Sequence, residues 1–214
     1  MTTVHQALAI GAAVLGLAAA AADRPAVDAA ALAAEIVSER DHITAPELAE
    51  RIMGQDATLY VIDLRPRADY DALHIPTATH APIETLARQA FPRGASIVLY
   101  SEGSTQSAQG WVLLRLRGER NVRFLREGMY EWLARVMEPR LATDATDAER
   151  QEFARAEAQS RFFGGQPRSS VPRAEVPVGY WSGSSTAPPG GSAGPTNTAD
   201  AIRAAVGAIR RRGC

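Results

Sequence analysis

Residues 101–106, Ser-Glu-Gly-Ser-Thr-Gln, form a short polar run between an apolar stretch at 97–100 (Ile-Val-Leu-Tyr) and a helical pattern over 107–116 that Gly118 closes. A buried strand, a tight loop and a helix N-terminus make the place where α/β proteins hold a nucleophile or an anion, because first-turn N–H groups and the helix dipole face it. Ser101 is the first loop residue, but a serine nucleophile needs a base oriented by a third group, and no His-Asp relay accompanies it. Thiol chemistry has a single candidate, Cys214, the one cysteine in the chain. Arg210, Arg211 and Arg212 lie close enough in sequence to favour its thiolate. A lone cysteine excludes an intrachain disulfide and an intrachain cysteine metal cluster. The four histidines (His5, His42, His74 and His80) show no ligand spacing, so neither metal nor cofactor is expected.

The elements that would position this loop alternate between strand and helix. Thr44-Ala45-Pro46-Glu47 reads as a capping box with proline in the first helical turn, opening a short helix whose apolar face is Leu48, Ile52 and Met53. Residues 59–62 read as a buried strand running into Asp63-Leu64-Arg65. The alternation predicts an α/β fold with a mostly parallel sheet flanked by helices. Asp63 and Arg65, at a strand end, are expected to tie neighbouring loops by charge-assisted hydrogen bonds. Gly128 is expected to supply a φ that a side chain would forbid. Trp111 and Trp132 are expected in the core, and His74 to satisfy buried backbone.

Four segments in order resemble the rhodanese family: Ile62-Asp63-Leu64-Arg65; Asp69 through Pro76, with Leu73 where the family has glycine; Val98-Leu99-Tyr100 leading into the loop; and Asn121 through Gly128, followed by Trp132. The resemblance implies a single rhodanese-like domain over 41–140. It implies that Ser101 stands at the position of the family's nucleophilic cysteine, and Gln106 where the family commonly has arginine. Glu102 adds a negative charge inside the supposed anion cradle. A serine hydroxyl ionises far less readily than a thiol, and its oxygen cannot carry a transferable persulfide. The loop Ser101, Glu102, Gly103, Ser104, Thr105 and Gln106 is therefore expected to be a degenerate active site with no catalytic residue. Phosphatase chemistry on a related fold also needs the absent cysteine and arginine.

Around the domain lie appendages. Residues 7–22 carry no polar side chain, and with the preceding residues they are long enough to cross a hydrocarbon core of about 30 Å. Residues 1–25 are expected to be a hydrophobic helix serving as anchor or signal peptide, with the domain on the periplasmic side of a bacterial inner membrane. A helical connector is expected over 26–40, a charged helix over 141–165, a Pro/Gly/Ser-rich linker over 166–198, and an amphipathic basic helix over 199–214. Tyr180 and Trp181 interrupt the linker composition and are expected to dock on something. The net charge of −1 gives no case for nucleic-acid binding. The expected function is a catalytically silent, membrane-anchored binding or scaffold protein, an accessory subunit partnered by other membrane or periplasmic proteins. The alternatives are a sulfurtransferase using Cys214 as sulfur carrier, and a small-ligand sensor.

Overall fold

Residues 59–62 and 97–100 are apolar on both faces, the pattern of strands buried between two helical layers. The computed structural model describes residues 28–181; the hydrophobic amino-terminal segment, Cys214 and the basic helix expected over 199–214 lie outside them. Five strands, β1 (His42–Ile43), β2 (Leu59–Asp63), β3 (Thr79–His80), β4 (Ser96–Tyr100) and β5 (Val122–Leu125), form one sheet in the order β1-β5-β4-β2-β3. All four pairings are parallel, so the predicted parallel sheet forms, parallel at every pairing.

Alternate residues of β2, β4 and β5 separate the core into two layers. Ile43, Val61, Val98, Tyr100 and Leu125 pack with helix α2 (Ala45–Met53) and with Met129, Trp132 and Val136. Helix α3 (Arg67–Ala72) follows β2 in the chain. Ile62, Ile97, Leu99 and Phe124 pack on the other side with Leu86, Trp111 and Leu114, from the short helix α4 (Ile83–Leu86) and from α5 (Thr105–Leu116). Gly110 permits the close approach of α5 to the sheet: a Cβ there would lie 3.0 Å from both Leu64 and Leu99 methyls. The predicted capping box opens α2, with Thr44 and Glu47 bonding reciprocally. Helix α1 (Ala29–Val37) buries no residue fully; it is held beside α5 by an Arg115–Glu35 ion pair at 2.6 Å.

Past β5, helix α6 (Gly128–Glu131) runs directly into a π-helical turn, Trp132–Met137. The charged helix predicted from sequence is α7 (Asp147–Phe162), opened by a second capping box at Thr146 and Glu149. The segment expected as linker is partly ordered. Residues Arg168–Val171 form β7, parallel to β6 (Arg140–Ala142), and Tyr180 and Trp181 are buried in a third apolar cluster with Phe153, Ala156 and Val176. The composition reading missed β7 because Arg-Ser-Ser-Val has little apolar content. Its register comes from the partner strand and from the aromatic anchors that follow.

Candidate functional site

The central strand β4 carries the candidate loop. Its last residue, Tyr100, pairs in register with Asp63 of β2, and the Leu64 N–H donates to the Tyr100 carbonyl at 2.9 Å. The chain therefore leaves both strands at the carboxyl edge of the sheet, the edge at which open α/β sheets bind ligands. Ser101 follows at once and is 3% exposed. Its hydroxyl donates to the Gly103 carbonyl at 2.6 Å and accepts the N–H of Ser107 at 3.2 Å. Ser107 lies in the first turn of α5, so Ser101 caps that helix from outside it, a role that Ser104 at the cap position does not fill with its own side chain.

The loop backbone is held from the opposite side by α6. The N–H groups of Met129 and Tyr130 donate to the carbonyls of Ser101 and Glu102, at 2.9 and 3.3 Å. These are first-turn donors that the helix itself leaves free. Gly128, at φ +56°, makes this approach possible: a Cβ there would stand 2.3 Å from the Ser101 carbonyl oxygen and 2.7 Å from that of Gly103. Glu127 before it is also left-handed, at φ 53°.

Residues 44–135 match the family model for the rhodanese-like domain. This segment is a rhodanese-like domain. Among solved structures, the Alr3790 protein from Anabaena sp. is similar at 30% identity, over 42% of this chain and 74% of that one, with a TM-score of 0.40. The solution structure of the rhodanese-like domain from the same Anabaena protein matches at 29% identity, over 43% and 72% of the two chains, also with a TM-score of 0.40. A curated relative, the HTH-type transcriptional regulator Rv0324 of Mycobacterium tuberculosis, is 38% identical over 115 residues, which are 52% of this chain. The chain covers 50% of that relative's length.

Within the rhodanese-like domain, the structure brings the loop residues together with Asp63, Arg65 and Gly128. Arg65 grips Asp63 with two nitrogens, Nε at 3.1 Å and Nη2 at 2.7 Å, and also donates to the Leu73 carbonyl at 2.6 Å. Both side chains are buried. This pair does tie neighbouring loops, as its residue types predicted. Burial disfavours the guanidinium charge, but the Asp63 hydrogen bonds and charge outweigh it, and the Arg65 pKa lies above its ordinary value. Tyr100 completes the cluster. Its hydroxyl accepts the N–H of Ile75 at 3.1 Å and feels the Asp63 carboxylate beside it. Burial, reinforced by the Asp63 carboxylate, raises its pKa. Sequence reading placed Tyr100 only as a buried strand residue; a tyrosine ending a buried strand beside Asp-x-Arg was the available signal, since a buried phenol needs a partner.

Glu102 is half-exposed, with its carboxylate 3.8 Å from Arg65 Nη1. It thus sets negative charge against the Arg65 guanidinium. Thr105 begins α5 and is exposed; Gln106 follows, half-buried. Trp132 is buried in the core, as expected. His74 corrects an expectation. It is exposed, stacks on Tyr70 with ring centroids 4.2 Å apart, and bonds the Tyr70 carbonyl at 2.9 Å. The imidazole does take a backbone acceptor, but an exposed rather than a buried one, and the Tyr70 ring is its stacking partner. Cys214 lies outside the described residues. Among the described residues no cluster of three metal-ligating side chains occurs, and no helix is long and apolar enough to cross a membrane.

The chemistry available at the loop follows from these contacts. A nucleophile needs its proton taken by a base, yet both hydrogen-bond partners of Ser101 are backbone groups. Its proton sits on a carbonyl and its lone pair on an amide N–H.

Proposed function

We propose that this protein is a catalytically silent rhodanese-like binding protein, acting as an accessory or scaffold component. The observation that carries the reading is the state of Ser101, whose hydroxyl is spent on a carbonyl acceptor and a helix N–H, next to a carboxylate rather than a cationic cradle. The ordered extension after residue 137 supports a binding role by adding helix, strand and anchored aromatics to the domain. Residues 1–22, apolar from position 7, are assigned as the membrane anchor, with the domain on the periplasmic side.

Two experiments test this. Thiocyanate formation from thiosulfate and cyanide is measured for the wild type, Cys214→Ser and Ser101→Cys. Background turnover by the wild type is expected. Wild-type turnover that survives Cys214→Ser would overturn catalytic silence in the loop, and turnover abolished by Cys214→Ser would establish the tail thiol as sulfur carrier. Alkaline extraction of native membranes, followed by sizing in mild detergent, tests the rest. The protein is expected to stay with the membrane and to run larger than a monomer; a freely extracted monomer overturns the anchored-accessory reading.

A further inference from the structure

Helix α6 and its π-helical continuation join the candidate loop to the extension that lies beyond the family match. At its amino end, Met129 and Tyr130 donate to the loop carbonyls, and Gly128 lies flush against them. At its carboxyl end, the carbonyls that a helix leaves unsatisfied are taken by the extension. The Tyr180 hydroxyl donates to the Ala134 carbonyl. The Met137 carbonyl accepts from Ser160 Oγ at 2.9 Å and from the Gln166 N–H at 2.7 Å. The Arg135 guanidinium lies over the Tyr180 ring at 4.4 Å and the Trp181 ring at 5.0 Å, and donates to the Tyr180 carbonyl. Stacking on two rings uses the guanidinium's planarity, which an ammonium lacks.

We infer that residues 138–181 act as a brace on the helical run from Gly128 to Met137 and, through it, hold the 101–103 loop in place. A helix is stiff along its axis, and this one is pinned at each end by different parts of the chain. Its register is therefore shared between them. Releasing the carboxyl end frees the helix to shift, and the first contacts to feel a shift are the two N–H bonds to the loop. Nothing in this coupling depends on what the loop recognises.

Amide hydrogen exchange on the full chain, resolved residue by residue, tests the inference in Tyr180→Phe, Arg135→Lys and Arg135→Ala. The Met129 and Tyr130 amides are expected to exchange faster, by about fivefold in Tyr180→Phe and more in Arg135→Ala. Arg135→Lys is expected to fall between the wild type and Arg135→Ala, and the β2 and β4 amides to keep wild-type rates. Acceleration confined to 138–181, or equal acceleration throughout the sheet, overturns the brace. Should Arg135→Ala fail to fold, Tyr180→Phe decides the matter, since it removes a single hydroxyl.

Discussion

Replacing Ser101 with alanine removes one hydroxyl from a residue that is 3% exposed. Two backbone groups lose a partner, and they fare differently. The Ser107 N–H, donated to Ser101 Oγ at 3.2 Å, loses its acceptor in the buried first turn of α5. The Gly103 carbonyl keeps a long contact, with Ser107 Oγ at 3.5 Å. Losing a helix-capping acceptor costs about 1 kcal/mol, and a buried N–H left bare costs about 1–3. These describe the same lost contact and are not summed, so the expected destabilisation is about 1–2 kcal/mol. With a urea m-value of about 2 kcal/mol/M, the unfolding midpoint falls by about 0.5–1 M. Intrinsic fluorescence reports the transition, since Trp111 and Trp132 are buried in the two layers of the core. Ser104→Ala is the control: its side chain makes no capping bond, and its stability is expected to stay within about 0.5 kcal/mol of wild type. A Ser101→Ala midpoint equal to wild type, or a Ser104→Ala loss of the same size, refutes the assignment of Ser101 as the cap of α5.

Three further outcomes are expected. Gly128→Ala adds a Cβ 2.3 Å from the Ser101 carbonyl oxygen at φ +56°; left-handed strain and overlap together lower stability by about 2–5 kcal/mol in urea unfolding, and a loss below about 1 kcal/mol contradicts the close approach. Asp63→Asn leaves Arg65 buried without its counter-charge and is expected to cost about 3–5 kcal/mol in the same assay; a near-neutral effect argues against the buried pair. The Arg173 hydrogen bonds, with those from Thr146, hold the Glu149 carboxyl pKa at about 2, below its ordinary 4.5. A depressed carboxylate stabilises the fold above its unfolded pKa and loses that contribution as pH falls towards the folded value. The melting-temperature gap between wild type and Glu149→Gln is therefore expected to be full above pH 4.5 and to close as pH drops towards 2; a gap constant across that range refutes the assignment.

Much of the fold is legible in residue types because local signals agree there. Thr44-Ala45-Pro46-Glu47 and Thr146 with Glu149 announce helix starts, and both capping boxes form. The apolar run 97–100 announces a strand buried on both faces, and all five residues of β4 are buried. What could not be read is what long-range contacts decide. The extent of α5 is one case: it begins at Thr105, two residues before the apolar pattern does, because its first-turn amide at Ser107 is capped by Ser101 from the loop. The ordering of residues 168–181 is another, since Arg-Ser-Ser-Val pairs only because β6 and the Tyr180–Trp181 anchor hold it. Arg135 gave no sign of its place between two rings more than forty positions away in the chain.

The contacts of the loop also explain why Ser101, Glu102 and Gln106 suit one another. A thiolate at position 101 would place a full negative charge beside the α5 N-terminus, and it would need the surrounding donors and cations to remain ionised. A serine places none. Its neutral hydroxyl satisfies the Ser107 N–H as an acceptor and the Gly103 carbonyl as a donor, a pairing that an anion, having no proton to give, cannot make. With no charge to stabilise, position 106 has no need of arginine, and a carboxylate at 102 can settle 3.8 Å from Arg65 without opposing anything at 101. The same geometry sets the difficulty of the reverse change. A cysteine introduced at 101 would meet the Gly103 carbonyl, which favours the protonated thiol, with the negative Glu102 as the next residue of the loop. Ser101→Cys alone is accordingly expected to yield a poorly ionised thiol and little sulfur transfer. Ser101→Cys combined with Glu102→Gln and Gln106→Arg is expected to alkylate faster with iodoacetamide at neutral pH than the single variant, each in a Cys214→Ser background. Equal alkylation rates would show that the charges at 102 and 106 do not govern this loop.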